Sequence, residues 1–274
     1  MQLQILNIFI APRLFWRHRG LFAQMLRRNI SSRYRGSVLG LVWSFVHPLM
    51  MMAVYTFVFG IVFKARWGME ALDENRAAFP LIMFCGLTVF NLFSESLSNS
   101  GNLIVNNTSF VKKVVFPLEL LPVCTVATAF FFGAAWFSLL LLGACFFLQS
   151  LSWTICLLPL TLVPLLLLTT GISFIISALG VYLRDVPQLV GVTTQVLFFM
   201  TPIFYPVSLV PPHLRWLLYL NPLTSLVEET RKLFLYGQEP DYLVCLWLFL
   251  FSLLVFQIGF VCFNKMKKGF ADVL

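Results

Sequence analysis

Residues 181–222 constrain the fold of this chain more than any other stretch. They open on a charged corner, Arg184-Asp185, with Pro187 close behind. About twenty residues without a charge follow, enough to cross a bilayer as a helix. The stretch then breaks up at Pro202, Pro206, Pro211, Pro212 and Pro222. A simple membrane anchor needs no such exit. Irregular backbone at membrane depth persists only where protein or a water-filled cavity receives its polar groups. The reading is a span beside a pathway, with a gate-like structure at its far end.

Five more apolar runs accompany it, at 38–63, 79–97, 118–148, 151–183 and 242–263. Only 11% of the 274 residues are charged, against about a quarter in a soluble domain. The predicted fold class is an all-α polytopic membrane protein with six transmembrane helices, spans one to six in chain order. Residues 36–274 carry the six spans and 1–35 form a separate basic lead. Seven arginines precede the first apolar run, which is too long for a signal h-region, so no cleavable signal is expected.

In the lead, Leu14, Leu21, Phe22, Met25 and Leu26 fall on one side of a helix, and Arg13, Arg17, Gln24 and Arg28 mostly on the other. Such a helix lies in the membrane interface with its arginines on anionic headgroups. Gly36 and Gly40 are expected to permit close packing of span one, and Pro48 to kink it. Lys64, Arg66, Glu70, Asp73, Glu74 and Arg76 make a polar loop after it. A minimal turn at Gln149-Ser150 joins spans three and four, and Pro159 and Pro164 bend the fourth. Between spans five and six lie two pieces too short to cross, 213–220 and 223–236. In the second, Leu223, Leu226, Val227, Thr230, Leu233 and Phe234 face one way, and Glu228, Glu229, Arg231 and Lys232 the other. Both suit re-entrant or interfacial helices, and Gly237 ends the second.

Six spans place both termini on one side. The lead, the loop at 98–117, the Arg184 corner and the tail lysines hold 13 basic residues, against 6 on the other face, where seven acids offset them. The positive-inside rule makes both termini cytoplasmic. Topology thus accounts for the formal charge of +8, and nucleic acid is not an expected partner.

The chemistry of a membrane enzyme is missing. No phosphate loop, zinc motif or nucleophile elbow occurs, and none of the six cysteines pairs as C-x-x-C, so neither catalytic residues nor a metal are expected. Within the spans, ionisable groups amount to little beyond Glu95 and His47. Glu95 reads as interfacial, and His47 as a hydrogen-bonded packing residue rather than a proton relay. Any uphill transport therefore needs an external motor. The segment GNLIVNN (101–107) carries Leu103, Ile104 and Val105 between polar ends, which suits either a short helix seated in a partner's groove or an ordinary loop touching the bilayer. Tyr55 and Tyr205, with Phe59 one turn beyond Tyr55, place rings with polar handles in spans one and five. They suit a wet passage for sugars, or, for Tyr205, the aromatic belt at the outer interface. A membrane-embedded transferase and a passive channel are the readings from other classes.

Five stretches then stand out together: 34–67, VKKVVFPLELLP (111–122), YLRDV (182–186), TPIFYP (201–206) and YLNP (219–222). As an ordered set they resemble the membrane permease subunit of bacterial ABC-type polysaccharide exporters, most of all O-antigen lipopolysaccharide exporters. Capsule and teichoic-acid exporter permeases are the near alternatives. The resemblance implies a half-transporter with an N-terminal interface helix in the bacterial inner membrane. Two copies form a channel, and each binds one of two nucleotide-binding ATPase subunits. ATP and Mg sit on those subunits, with no cofactor on this chain. The cargo is a polysaccharide linked to undecaprenyl diphosphate. By position along spans one and five, Tyr55, Phe59, Phe198, Phe199 and Tyr205 line the passage. Leu103, Ile104 and Val105, within a coupling helix, and the corner Arg184-Asp185 meet the ATPase. The short periplasmic helices at 212–236 act as gates. Arg33 and Arg35 are the candidates for the lipid diphosphate.

Overall fold

The computed structural model describes residues 10–62, 78–112, 116–148 and 152–274. The expected polar loop from Lys64 to Arg76, Lys113 and the Gln149-Ser150 turn lie outside them. Among the described residues every regular element is helical. The lead forms two helices, α1 (Ile10–Arg17) and α2 (Arg19–Arg33), separated at His18. Then come α3 (Trp43–Tyr55), continued by wider turns over Thr56–Val62, and α4 (Ala78–Ser100). The short α5 (Thr108–Lys112) precedes α6 (Leu120–Gly143) and α7 (Pro159–Tyr182). They are followed by α8 (Val186–Met200), α9 (Arg215–Tyr219) and α10 (Pro222–Arg231). The long α11 (Tyr242–Met266) and the short α12 (Phe270–Val273) complete the chain.

Among the described residues, five helical stretches are long and apolar enough to cross a membrane: Gly40–Phe59, Phe79–Ser100, Leu120–Phe146, Trp153–Tyr182 and Tyr242–Val273. The expected fifth span at 186–206 is not one of them, because its helix is shorter than expected. Its helix stops at Met200 after 15 residues, about 22 Å of rise against a hydrocarbon core of about 30 Å. Thr201 precedes Pro202 and is extended, with φ −84° and ψ 133°, because a residue before proline is pushed out of the helical region. Pro159 begins α7 rather than bending a longer helix, and Pro164 lies inside it.

The helix α4 is the hub. It packs against α3, α6, α7, α8 and α10, and its Leu87, Val89, Phe90 and Phe93 join Leu165 of α7 and Leu226 of α10 in the central core. The most extensive pairing is α7 with α11. A Cβ on Gly259 would fall 2.1 Å from the Gly171 carbonyl oxygen, and one on Gly171 would fall 2.6 Å from the Phe256 backbone. Bare backbones let the two helices touch, which drives helix association where hydrophobic burial gives no advantage over lipid. The expected packing glycines do something else. Gly36 and Gly40 have φ of +86° and +49°, and nothing lies within 4 Å of a Cβ at either. They permit the left-handed turn from α2 to α3.

The molecule thus has a basic end, where α2, α5 and α12 gather, and a proline-rich end, where α9 and α10 gather. At the basic end Met25 of α2, Ile104, Leu121, Phe174, Phe260 and Phe270 share one core, which draws the apolar side of the lead inward and leaves Arg27 and Arg28 exposed.

Candidate transport pathway and coupling surface

Aromatic rings connect α3 to α8. Tyr55 lies 6.4 Å from Phe59 and 5.3 Å from Phe204, centroid to centroid. Phe59 stacks on Phe204 at 4.6 Å, Phe204 meets Phe198 at 5.1 Å, and Phe198 meets Phe199 at 5.4 Å and Phe90 of α4 at 5.1 Å. Four of the five expected lining residues therefore sit in one row. Phe204, the ring at its centre, was missed, although the TPIFYP stretch contains it. Tyr205 stands apart: its hydroxyl donates to the Phe199 carbonyl at 3.0 Å, one of the carbonyls left open by the last turn of α8. Beside the row, Met50, Val54, Phe57 and Ile61 form an exposed stripe on the first crossing helix, and Leu189, Val192, Val196 and Phe199 form another on α8. Nothing among the described residues covers either.

The irregular segment 201–206 is held by polar contacts. Asn221 accepts from the Leu223 N–H at 3.1 Å, capping α10, and donates to the Thr201 hydroxyl at 2.9 Å. Thr201 in turn donates to the Leu197 carbonyl at 2.7 Å. One side chain from YLNP and one from TPIFYP thus join the end of α8 to the start of α10. Arg231 completes the lock. Its guanidinium donates to the carbonyls of Pro202 at 2.7 Å, Ile203 at 3.0 Å and Ile82 of α4 at 3.2 Å, and pairs with Glu228 at 2.7 Å. A Cβ on Gly86 of α4 would fall 2.8 Å from its Nη2.

Arg231 is fully buried and Glu229 is 3% exposed, which corrects their expected place on an outward polar face. Glu229 pairs with Lys232 at 2.7 Å and accepts from the Asp241 N–H at 2.9 Å, ahead of α11. The signal for Arg231 was present: it stands eight residues after Leu223, on the stripe of Leu223, Leu226, Val227 and Thr230. Gly237 ends the helical run as expected, with φ +60°.

At the basic end the loop after α4 is locked to the corner before α8. The Ser100 and Ser173 hydroxyls lie 2.5 Å apart. A Cβ on Gly180 would meet the Gly101 carbonyl oxygen at 1.9 Å, and one on Gly101 would meet the Pro187 Cα at 3.1 Å. The three expected coupling side chains separate. Ile104 is buried in the chain's own core, Leu103 is partly buried against it, and Val105 is exposed. Arg184 and Asp185 are exposed and make no ion pair among the described residues. The short α5 carries Phe110, which stacks on Phe116 at 4.6 Å and lies 5.7 Å beneath Arg28 of α2. The tail joins this platform through Lys267, paired with Glu119 at 2.9 Å. Leu103, Val105, Arg184 and Asp185 thus lie at one end, on segments that touch.

Arg33 is paired with Glu95 of α4 and lies 4.2 Å from the Phe132 ring centroid of α6. Glu95 is partly exposed. Arg35 is exposed and makes no ion pair among the described residues. His47 lies 6.1 Å from Trp136 and makes no hydrogen bond among the described residues, unlike the hydrogen-bonded packing role expected of it.

By sequence, the chain as a whole is similar to known membrane transport proteins. The pattern of the ABC-2 type transporter family matches residues 20–235. The O-antigen export system permease protein RfbA of Myxococcus xanthus is 28% identical over 259 residues, which cover 94% of this chain and 96% of that protein. A Klebsiella pneumoniae protein of the same name is 28% identical over 270 residues, covering 93% and 95%. The polysialic acid transport protein KpsM of Escherichia coli is 24% identical over 252 residues, covering 88% and 92%. The family pattern spans most of the chain, and the chain belongs to the ABC-2 type transporter family, as a membrane permease rather than an enzyme.

Proposed function

We propose that two copies of this chain, each with one ATPase subunit, form a channel that exports lipid-linked polysaccharide from cytoplasm to periplasm across a bacterial inner membrane. The observation that carries this reading is the row Tyr55, Phe59, Phe204, Phe198 and Phe199 beside the uncovered faces of α3 and α8. A second copy on a two-fold axis covers such faces and encloses the rings. Rings present weak, sequence-tolerant contacts to sugar C–H faces, and a conduit must hold its cargo loosely enough to release it. The 28% likeness to RfbA proteins against 24% to KpsM favours O-antigen over capsule as cargo.

The basic end faces the cytoplasm, and α8 with residues 201–206 completes the sixth crossing. ATP closure of the partner moves Val105, Leu103 and the Arg184-Asp185 corner. The close packing of Gly101 on Gly180 and Pro187 passes that movement to α8. At the far end Thr201, Asn221 and Arg231 carry it to α10, so motor side and exit move as one lever. Such a push changes the channel only because nucleotide states differ in their contacts with the platform. Arg35, exposed and with no ion pair among the described residues, is the better placed of the two arginines for a lipid diphosphate. Cytoplasmic ATP and Mg bind on the partner, and this chain contributes the passage.

The test is a gene deletion with complementation, together with affinity purification from native membranes. The expected result is surface polysaccharide lost on deletion, restored by the chain, and a nucleotide-binding subunit recovered with it. Normal surface polysaccharide in the deletion strain overturns the export reading.

A further inference from the structure

A cavity of about 380 Å3 lies where the end of α2 meets α3, α4 and α6. It is near the small end of the ~300–1,000 Å3 of small-molecule sites, and it is not part of the aromatic row. Its wall combines rings with polar groups, some of which have no partner among the described residues. Trp43 is 39% exposed and makes no ring contact among the described residues. Neither the Asn91 amide nor the His47 imidazole makes a hydrogen bond among the described residues, and Glu95 engages Arg33 through Oε1 alone. These groups are partly exposed and open toward the cavity, and polar groups on crossing helices mark substrate paths.

We propose that this cavity is a monosaccharide subsite that holds one neutral pyranose of the glycan at the cytoplasmic start of the first span. The proposal rests on the export reading and adds a defined sugar contact to it. A pyranose supplies what the wall lacks. Its hydroxyls both donate and accept, which satisfies an amide, an imidazole and a carboxylate oxygen together, while its C–H face packs on the Trp43 indole. A phosphate does not fit the same wall. Arg33 is already neutralised by Glu95, and the second carboxylate oxygen repels an anion. Arg33 is here a positioning residue, holding the Glu95 carboxylate in place.

The experiment uses the permease–ATPase complex in lipid nanodiscs. Methyl glycosides of glucose, galactose, mannose, rhamnose and N-acetylglucosamine are tested by saturation-transfer NMR, with inorganic pyrophosphate as the anionic rival. At least one glycoside binds, and Trp43→Ala and Asn91→Ala each weaken it by about tenfold, the loss of one stacking or hydrogen-bonding partner. Trp43→Phe retains binding, and neither Ala variant changes pyrophosphate binding. The subsite is overturned if no glycoside binds in a manner that depends on Trp43 and Asn91, or if pyrophosphate binding is what the two variants remove. The complementation assay separates the two failures. A chain that restores surface polysaccharide but binds no glycoside loses the subsite and keeps the export reading. A chain that restores nothing loses both.

Discussion

Two helical stretches of nearly equal hydropathy have opposite fates in this protein. An 18-residue window of Phe79–Ser100, on α4, has a mean hydropathy of 1.5 with 78% of it buried; a window of Gly40–Phe59, containing α3, has 1.6 with 11% buried. Apolar content therefore does not decide which helix becomes the hub. In lipid there is no hydrophobic force between helices, so close contact and polar ties decide instead. The hub has both. A Cβ on Gly133 of α6 would fall 2.0 Å from Leu92 Cδ2, and one on Gly143 would fall 2.4 Å from Leu81 Cδ2, so leucines of α4 fill hollows at glycines of α6. Ile82 of α4 accepts from the buried Arg231. By contrast α3 has no glycine within Trp43–Tyr55, and its large side chains reach outward. One helix is finished within the protomer; the other is left for something else to complete.

The largest break in this contrast is expected from Arg231→Met. It leaves the carbonyls of Pro202 and Ile203 without this donor, at about 1–3 kcal/mol for each buried unsatisfied group, and removes a second bond from the Ile82 carbonyl, which keeps its bond within α4. The variant loses the monodisperse peak in fluorescence-detected size exclusion, while Arg231→Lys, which keeps the charge and fewer donors, retains part of it. A full peak and unchanged Tm for Arg231→Met would remove the lock from the account. Next comes a matched pair at two valines. Val89 on α4 is 1% exposed and Val54 on α3 is 52% exposed. Val89→Trp overpacks the hub and costs about 3 kcal/mol, whereas Val54→Trp changes protomer stability by under about 1 kcal/mol and instead impairs export. Equal Tm losses for the two would erase the distinction between hub and open face.

Gly180→Ala drives a methyl into the Gly101 carbonyl and is expected to cost about 1–3 kcal/mol. Thermal unfolding reads that loss, and ATPase stimulation by the permease reads its effect on coupling. An unaltered Tm with normal stimulation would mean the contact transmits nothing. The smallest effect is expected from Arg33→Gln. The pair with Glu95 is about one-third exposed on both sides, and such surface pairs contribute about 0–1 kcal/mol. A Tm loss as large as that of Val89→Trp would place Arg33 in the hub.

Hydropathy alone located five crossing helices, the basic lead and the breaks between them, because each depends on composition over many residues. The end of α8 was misjudged by six residues, since the uncharged run continues past Pro202 while the helix does not. The row through Tyr55, Phe59, Phe198 and Phe199 was legible by position, but Phe204 was not, because it lies on irregular backbone with no period to read. Arg231 was assigned outward on its charge, although its spacing from Leu223 and Val227 put it on the buried stripe. Ile104 was grouped with Leu103 and Val105 by adjacency; a turn rather than a continuous helix there points it alone into the core. The contacts of Gly101 with Gly180 and Pro187 join segments distant in sequence, and no local pattern announces them.

The central claim is that the open faces of α3 and α8 meet a second copy of the chain. Single cysteines in a cysteine-free background, expressed in native membranes with the ATPase partner, test it directly. Met50→Cys on α3 and Val196→Cys on α8 should yield covalent dimers on oxidation, and Leu250→Cys on the outer side of α11 should not. Dimers from Leu250→Cys alone, with none from α3 or α8, would contradict the account.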